Sequence, residues 1–249
     1  MKRQLTHGAL FAGIGGFMLA AQWAGIQNVW HSEIEKYSSQ LLKQEYPDSK
    51  NYGDIKAIDW SAVESVDIIT GGFPCQPFSA AGKRGGQEDD RYLWPQMFEG
   101  IQALRPRWLV GENVPGIRTL ALDTVLSDLE DANYASQAFD IPACAVGASH
   151  RRHRIWIIAH DSKERVQGHG AESLSGLATI PRREDGRGTT QARIRPDIPA
   201  PKLCRTSDGI PDRVHRTKAI GNAIVPQIAY ILFSYIQQIE DEELTPEKC

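Results

Sequence analysis

At 249 residues, 41% hydrophobic, 24% charged and with a net charge of −3, the chain has room for one large α/β domain with or without a small appendage. No apolar stretch approaches the ~20 residues of a membrane span. The amino terminus lacks the long apolar core and small-residue cleavage site of a signal peptide, so a cytoplasmic location without a membrane partner is expected. The four cysteines, Cys75, Cys144, Cys204 and Cys249, form no CxxC pair and no Cys/His cluster, which argues against a disulfide framework and against a metal site.

Leu5–Leu10 predicts a short strand and Phe11–Gly16 (FAGIGG) a tight turn, followed by a helix over Phe17–Ala24 that Gly25 closes. Val29–Ser32 reads as a second strand, and about Ile34–Tyr46 as a helix. Val66–Thr70 (VDIIT) is a buried strand ending at Gly71-Gly72. A helix over Leu93–Leu104 leads into a strand over Trp108–Glu112. A helix over Leu120–Asp131 precedes a strand near Ala135–Phe139, and Arg154–Ala159 (RIWIIA) is a further buried strand. This alternation implies an α/β fold with a mostly parallel, doubly wound sheet.

The texture changes after His160. Residues 161–213 are rich in Gly, Arg, Thr and Pro and weakly periodic, as expected of a small irregular subdomain or a disordered loop. Ile220–Ile239 then recovers the apolar spacing of a helix that returns to the sheet. Charge is uneven: residues 150–220 carry 15 Lys+Arg against 8 Asp+Glu, a local +7, so the remainder carries −10. An acidic body with one basic segment suits a protein that docks phosphates through one face.

Four clusters carry chemistry. The FAGIGG turn follows a strand and opens a helix, where glycines allow close backbone approach to a ligand. Glu33, at the end of the second strand, is placed to hold two ribose hydroxyls. These two features leave NAD and S-adenosylmethionine open. The absence of GxGxxG spacing favours the latter. GGFPCQPFS (Gly71–Ser79) sets Cys75 between prolines just after a buried strand, at the sheet edge where open α/β folds bind ligands. A thiolate there is a strong nucleophile once nearby positive charge lowers its pKa. Glu112-Asn113-Val114 ends another strand on that edge, and a partly protonated Glu112 could hydrogen-bond a base. In His150-Arg151-Arg152-His153-Arg154, strand alternation puts Arg152 and Arg154 on one face and Arg151 on the other, two guanidiniums suited to an anionic or carbonyl-rich substrate.

In this order the FAGIGG turn, Glu33, Gly53-Asp54-Ile55, GFPCQPFS, ENV, the Arg152/Arg154 pair and Ile220-Gly221-Asn222-Ala223-Ile224-Val225 resemble the motif series of the cytosine-5 DNA methyltransferase family, in a short form of bacterial or prophage type. The likeness spans nearly all the chain except about 161–205. It implies a Rossmann-like class I methyltransferase fold with residues 1–160 as the catalytic domain, 161–213 as the target-recognition region and 214–249 as a returning helix.

By the resemblance, Phe11, Gly13 and Gly16 would line S-adenosylmethionine, Glu33 would hold its ribose, and Ile34 would cover its adenine. Asp54 and the Ile55 backbone would meet the adenine edge, while Pro74, Leu93 and Asn222 would approach the methionine end. Cys75 would attack carbon 6 of a cytosine flipped out of double-stranded DNA. Glu112 would hold N3 and the amino group, Arg154 would bind O2 with Arg152 in support, and the Gly82–Gly86 loop could close over the base. A monomer is expected, and a restriction endonuclease acting on the same site is the partner such an enzyme admits. His150 stands where the family usually has Gln, and Ala223 where Ser is common. A tRNA cytosine methyltransferase, a silent DNA-binding module and a NAD oxidoreductase are the weaker readings; the last leaves GFPCQPFS unexplained.

Overall fold

The computed structural model describes residues 3–74, 92–162 and 219–243. Within them β1 (Thr6–Leu10) turns into α1 (Gly16–Trp23), and β2 (Gln27–Ser32) leads to α2 (Lys36–Glu45) and the two-residue β3 (Lys50–Asn51). Then follow β4 (Ile68–Gly71), α3 (Trp94–Leu104), β5 (Trp108–Asn113), α4 (Leu122–Asp131), β6 (Tyr134–Pro142), β7 (His153–Asp161) and α5 (Pro226–Glu243). The short, polar β3 has no hydrophobic signal and is the one strand that the sequence does not announce.

All seven strands share a sheet of order β3-β2-β1-β4-β5-β7-β6. The first five are mutually parallel, and β7 runs antiparallel to both neighbours. The chain steps from β1 outward to β3, then returns to the other side of β1 with β4. The carboxyl ends of β1 and β4 therefore flank the switch point, where open sheets hold ligands.

Alternation sorts the strands onto two cores. Ile68, Trp108, Val110, Trp156 and Ile158 face one layer, with Phe17 of α1 and Leu232 and Phe233 of α5. Ile69, Leu109, Ile155 and Ile157 face the other, with Trp94, Met97 and Ile101 of α3 and Val125 and Leu129 of α4. Strands buried on both faces read as unbroken apolar runs, as IIT and RIWIIA do.

The C-terminal helix does return, but not as one rod from Ile220. A helical turn at 219–222 stops, and α5 begins at Pro226. Proline has no N–H for the preceding turn and disfavours helix at the residue before it, and Ala223–Val225 form no regular structure. Ile228, Leu232, Phe233, Ile236 and Ile239 of α5 are buried, each contributing about 1.5–3 kcal/mol. Near its far end the buried Glu240 accepts from Trp108 Nε1 (2.7 Å) and Arg107 Nε (3.0 Å).

Candidate active site

The FAGIGG turn takes its shape from three left-handed residues, Phe11 (φ 52°), Gly13 (φ 56°) and Gly15 (φ 84°). Phe11 is not glycine and bears the strain that glycine avoids. Gly15 then caps α1 at its amino end. The turn is fastened by Glu33, whose carboxylate accepts from the amides of Gly13 (2.7 Å) and Glu35 (2.6 Å). Burial holds the Glu33 carboxyl above its ordinary range, against the downward pull of those amides. Asn51 joins this edge to the next loop: its Oδ1 accepts from the amides of Glu33 (3.2 Å) and Gly53 (2.9 Å), and its Nδ2 donates to the Glu33 carbonyl (3.1 Å).

A cavity of about 230 Å³ opens here. Phe11, Gly13, Gly16, Glu33 and Asn222 line it, together with Glu112 and Gly72 from the neighbouring strand ends. Ile34, Asp54, Ile55, Pro74 and Leu93 are not among its lining residues. Ile34 is 70% exposed beside it, whereas Ile55 is buried in the core and Leu93 packs against that core. Asp54 starts a short 3-10 turn by accepting from the amide of Lys56 (3.0 Å).

Glu112 sits on β5 facing the end of β4. A methyl group placed on Gly72 would lie 3.5 Å from its Oε2, so the strand ends are in close approach. Asn113 secures that approach by donating from Nδ2 to the Phe73 carbonyl (3.0 Å), two residues before Cys75. Cys75 itself lies outside the described residues, as do the Gly82–Gly86 loop and residues 163–218.

Because β7 is antiparallel to β5, its start lies where β5 ends, and Glu112 pairs with Trp156, two residues beyond Arg154 on the same face. Arg154 Nε thus reaches Glu112 Oε1 at 2.9 Å. Burial pushes the Glu112 carboxyl up to about 7, outweighing the opposing pull of Arg154 and Arg152.

The expected arginine pair on one strand face needs correction. The strand begins at His153, and Arg152 precedes it with φ 28°. Its Nη2 donates to the carbonyls of Gly221 (2.7 Å) and Ala223 (2.8 Å), because a backbone outside the strand aims the side chain at the C-terminal segment. Sequence reasoning also passed over Asn51, Asn113 and Ser38, which is buried and lines the cavity. Only the position of Asn113 inside ENV hinted at such a role.

A sequence profile described as C-5 cytosine-specific DNA methylase matches residues 5–196. The chain belongs to this family. Among curated relatives it is similar to Type II methyltransferase M1.ScrFI of Lactococcus lactis subsp. cremoris, 36% identical over 160 residues covering 62% of this chain and 41% of that one. It is likewise similar to M.HpaII of Haemophilus parainfluenzae (36% over 167 residues; 64% and 46%) and M.HhaI of Haemophilus parahaemolyticus (30% over 163 residues; 64% and 50%). The chain therefore spans half or less of the length of these relatives. Among solved structures its fold is similar to a mutant of Spodoptera frugiperda DNMT2, with TM-score 0.55 and 22% identity, covering 65% of this chain and 51% of that one. The S. pombe Dnmt2 methyltransferase is also similar in fold, with TM-score 0.52 and 20% identity, covering 64% and 50%. The seven-stranded sheet is that of the class I methyltransferases. Among the described residues of this family member, no helix is long and apolar enough to cross a membrane.

Proposed function

We propose that the chain is a DNA (cytosine-5)-methyltransferase that uses S-adenosylmethionine and acts on a flipped-out cytosine in a short DNA sequence through a covalent Cys75 adduct. One observation carries the reading. A buried carboxyl raised to about 7 and gripped by Arg154 lines the same cavity as the glycine turn and Glu33. A group that is half protonated at neutral pH can donate to a ring nitrogen and still accept from an amino group.

The lining suits the cofactor. Glu33, Glu35 and Glu112 supply carboxylates, and no lysine or arginine is among the described lining residues. Such a set favours a ligand bearing a sulfonium, an ammonium and two ribose hydroxyls over a pyrophosphate. Phe11, Gly13, Gly16, Glu33 and Asn222 would hold it from the cavity wall, with Ile34, Asp54, the Ile55 backbone, Pro74 and Leu93 meeting the parts that extend beyond. When bound there, S-adenosylmethionine supplies the methyl group.

The chain's own residues do the rest. Glu112 donates to N3 and Arg154 to O2, drawing electron density from the ring so that the Cys75 thiolate can add to carbon 6. Carbon 5 becomes nucleophilic and is methylated; loss of its proton then breaks the carbon–sulfur bond and returns Cys75. Residues 1–160 carry this chemistry, 161–213 choose the DNA sequence, and 214–249 complete the cofactor wall. The protein works as a cytoplasmic monomer, and a restriction endonuclease acting on the same site is the partner this activity fits.

The test is to sequence methylated cytosines in DNA from cells expressing the chain. One short site should be methylated, and Cys75→Ser should abolish methylation while S-adenosylmethionine binding persists, since a hydroxyl is far less ionised than a thiol. DNA carrying 5-fluorocytosine should trap the parent covalently, because fluorine blocks the final elimination. Full turnover by Cys75→Ser would refute the mechanism.

A further inference from the structure

One guanidinium stands between the start of β7 and the cavity. Nη2 of Arg152 donates to the carbonyls of Gly221 and Ala223, which flank Asn222. The other described hydrogen bonds of this segment run within it, from the Ala223 amide to the Ala219 and Ile220 carbonyls, or onward into α5, from the Ile228 amide to the Val225 carbonyl. Its apolar contact with the turn is tight: a methyl group on Gly16 would lie 2.6 Å from Ile224 Cγ1. Arg152 reaches the segment from a backbone at φ 28°, which non-glycine residues avoid. The kink is tied down where the Ala143 amide donates to the Arg151 carbonyl (2.7 Å). Toward the sheet, Arg152 and Glu112 lie close enough for each charge to shift the ionisation of the other.

We propose that Arg152 is a positioning residue for the cofactor. It holds residues 219–225 against the glycine turn and so ties that wall of the cavity to the strand bearing Arg154. The cytosine is left to Arg154 and Glu112. The proposal rests on the function above only for the identity of the ligand. A single guanidinium nitrogen carries two hydrogens in a fixed plane and can serve two carbonyls at once, which a lysine ammonium does with less preorganisation. A wall already in place costs the ligand nothing to order. A wall closed only part of the time weakens apparent affinity by that fraction.

The experiment compares the parent with Arg152→Met and Arg152→Lys. Amide hydrogen exchange without ligand should quicken in 219–225 of Arg152→Met while α1 and the middle of α5 keep their protection. Calorimetry should show S-adenosylmethionine bound roughly tenfold or more weakly, as expected for losing charge-assisted hydrogen bonds. At saturating cofactor and DNA, and at a pH below 7 where Glu112 is protonated in parent and variant alike, kcat should stay near the parent value, with Arg152→Lys intermediate in exchange and affinity. Unchanged exchange in 219–225 would overturn the proposal. So would a fall in kcat with unchanged cofactor affinity, which would return Arg152 to the base pocket. If the parent itself bound no S-adenosylmethionine, the proposed function would fail, while the exchange comparison would still decide whether Arg152 holds the segment. Should Arg152→Met not fold, Arg152→Gln replaces it in the same comparison.

Discussion

Glu112→Gln should change how stability depends on pH. In the folded parent the Glu112 carboxyl titrates at about 7, against 4.5 for an unperturbed glutamate. Between those values the folded state binds more protons than the unfolded state, so this group's contribution is intact below pH 4.5 and is lost as pH rises through 7. At ~1.36 kcal/mol per unit, the difference between 4.5 and about 7 amounts to about 3 kcal/mol. Gln has the shape of the protonated carboxyl and never ionises, so it escapes this loss. His7 and His31 complicate a single curve: burial lowers both from 6.5 to about 4, which makes stability rise with pH through much of the same window. They are present in both proteins and cancel in the difference. Urea unfolding at a series of pH values from about 4.5 to 8 should therefore show the gap between variant and parent move by about 3 kcal/mol in favour of Gln. Two curves that run parallel across that range would show that burial does not hold a proton on Glu112, and the base-binding role built on that proton would fall with it.

Two further substitutions probe the cofactor cavity. Glu33→Ala and Asp54→Ala should each weaken S-adenosylmethionine roughly ten- to a hundredfold in calorimetry while leaving DNA affinity nearly unchanged. Glu33 should have the larger effect, since its carboxylate also fastens the amides of Gly13 and Glu35; unchanged binding in both variants would contradict the placement of these strand ends. Gly16→Ala should push Ile224 away, because the added methyl would lie 2.6 Å from its Cγ1, and should weaken cofactor binding with a clash of about 1–3 kcal/mol. Adding Ile224→Ala should relieve the clash and recover part of the affinity, and a Gly16→Ala variant that binds like the parent would rule out the contact.

Much of the site was legible because its local chemistry is local in sequence. The FAGIGG turn needs left-handed backbone at Gly13 and Gly15, and glycine marks those positions in any context. Period-2 and unbroken apolar runs announced six of the seven strands, although β3 carried too few residues to register. The break before α5 was also written in the chain, at Pro226, but the apolar spacing on either side of it suggested one continuous helix.

What the sequence determined by itself was the α/β alternation and the placing of Gly13, Glu33, Gly72 and Glu112 at strand ends, which follow from residue type and spacing, and the family, whose motif series the chain resembles in order. Tertiary structure alone decided which ends meet. Apolar runs do not encode strand direction, and only the antiparallel entry of β7 brings Arg154 within 2.9 Å of Glu112. The turn of Arg152 toward Gly221 and Ala223, 69 and 71 residues away, depends on a backbone kink that strand alternation could not foresee. The proton on Glu112 has the same origin. It is set by burial among segments distant in sequence, and desolvation is a property of the packed surroundings, which no single stretch of residues specifies.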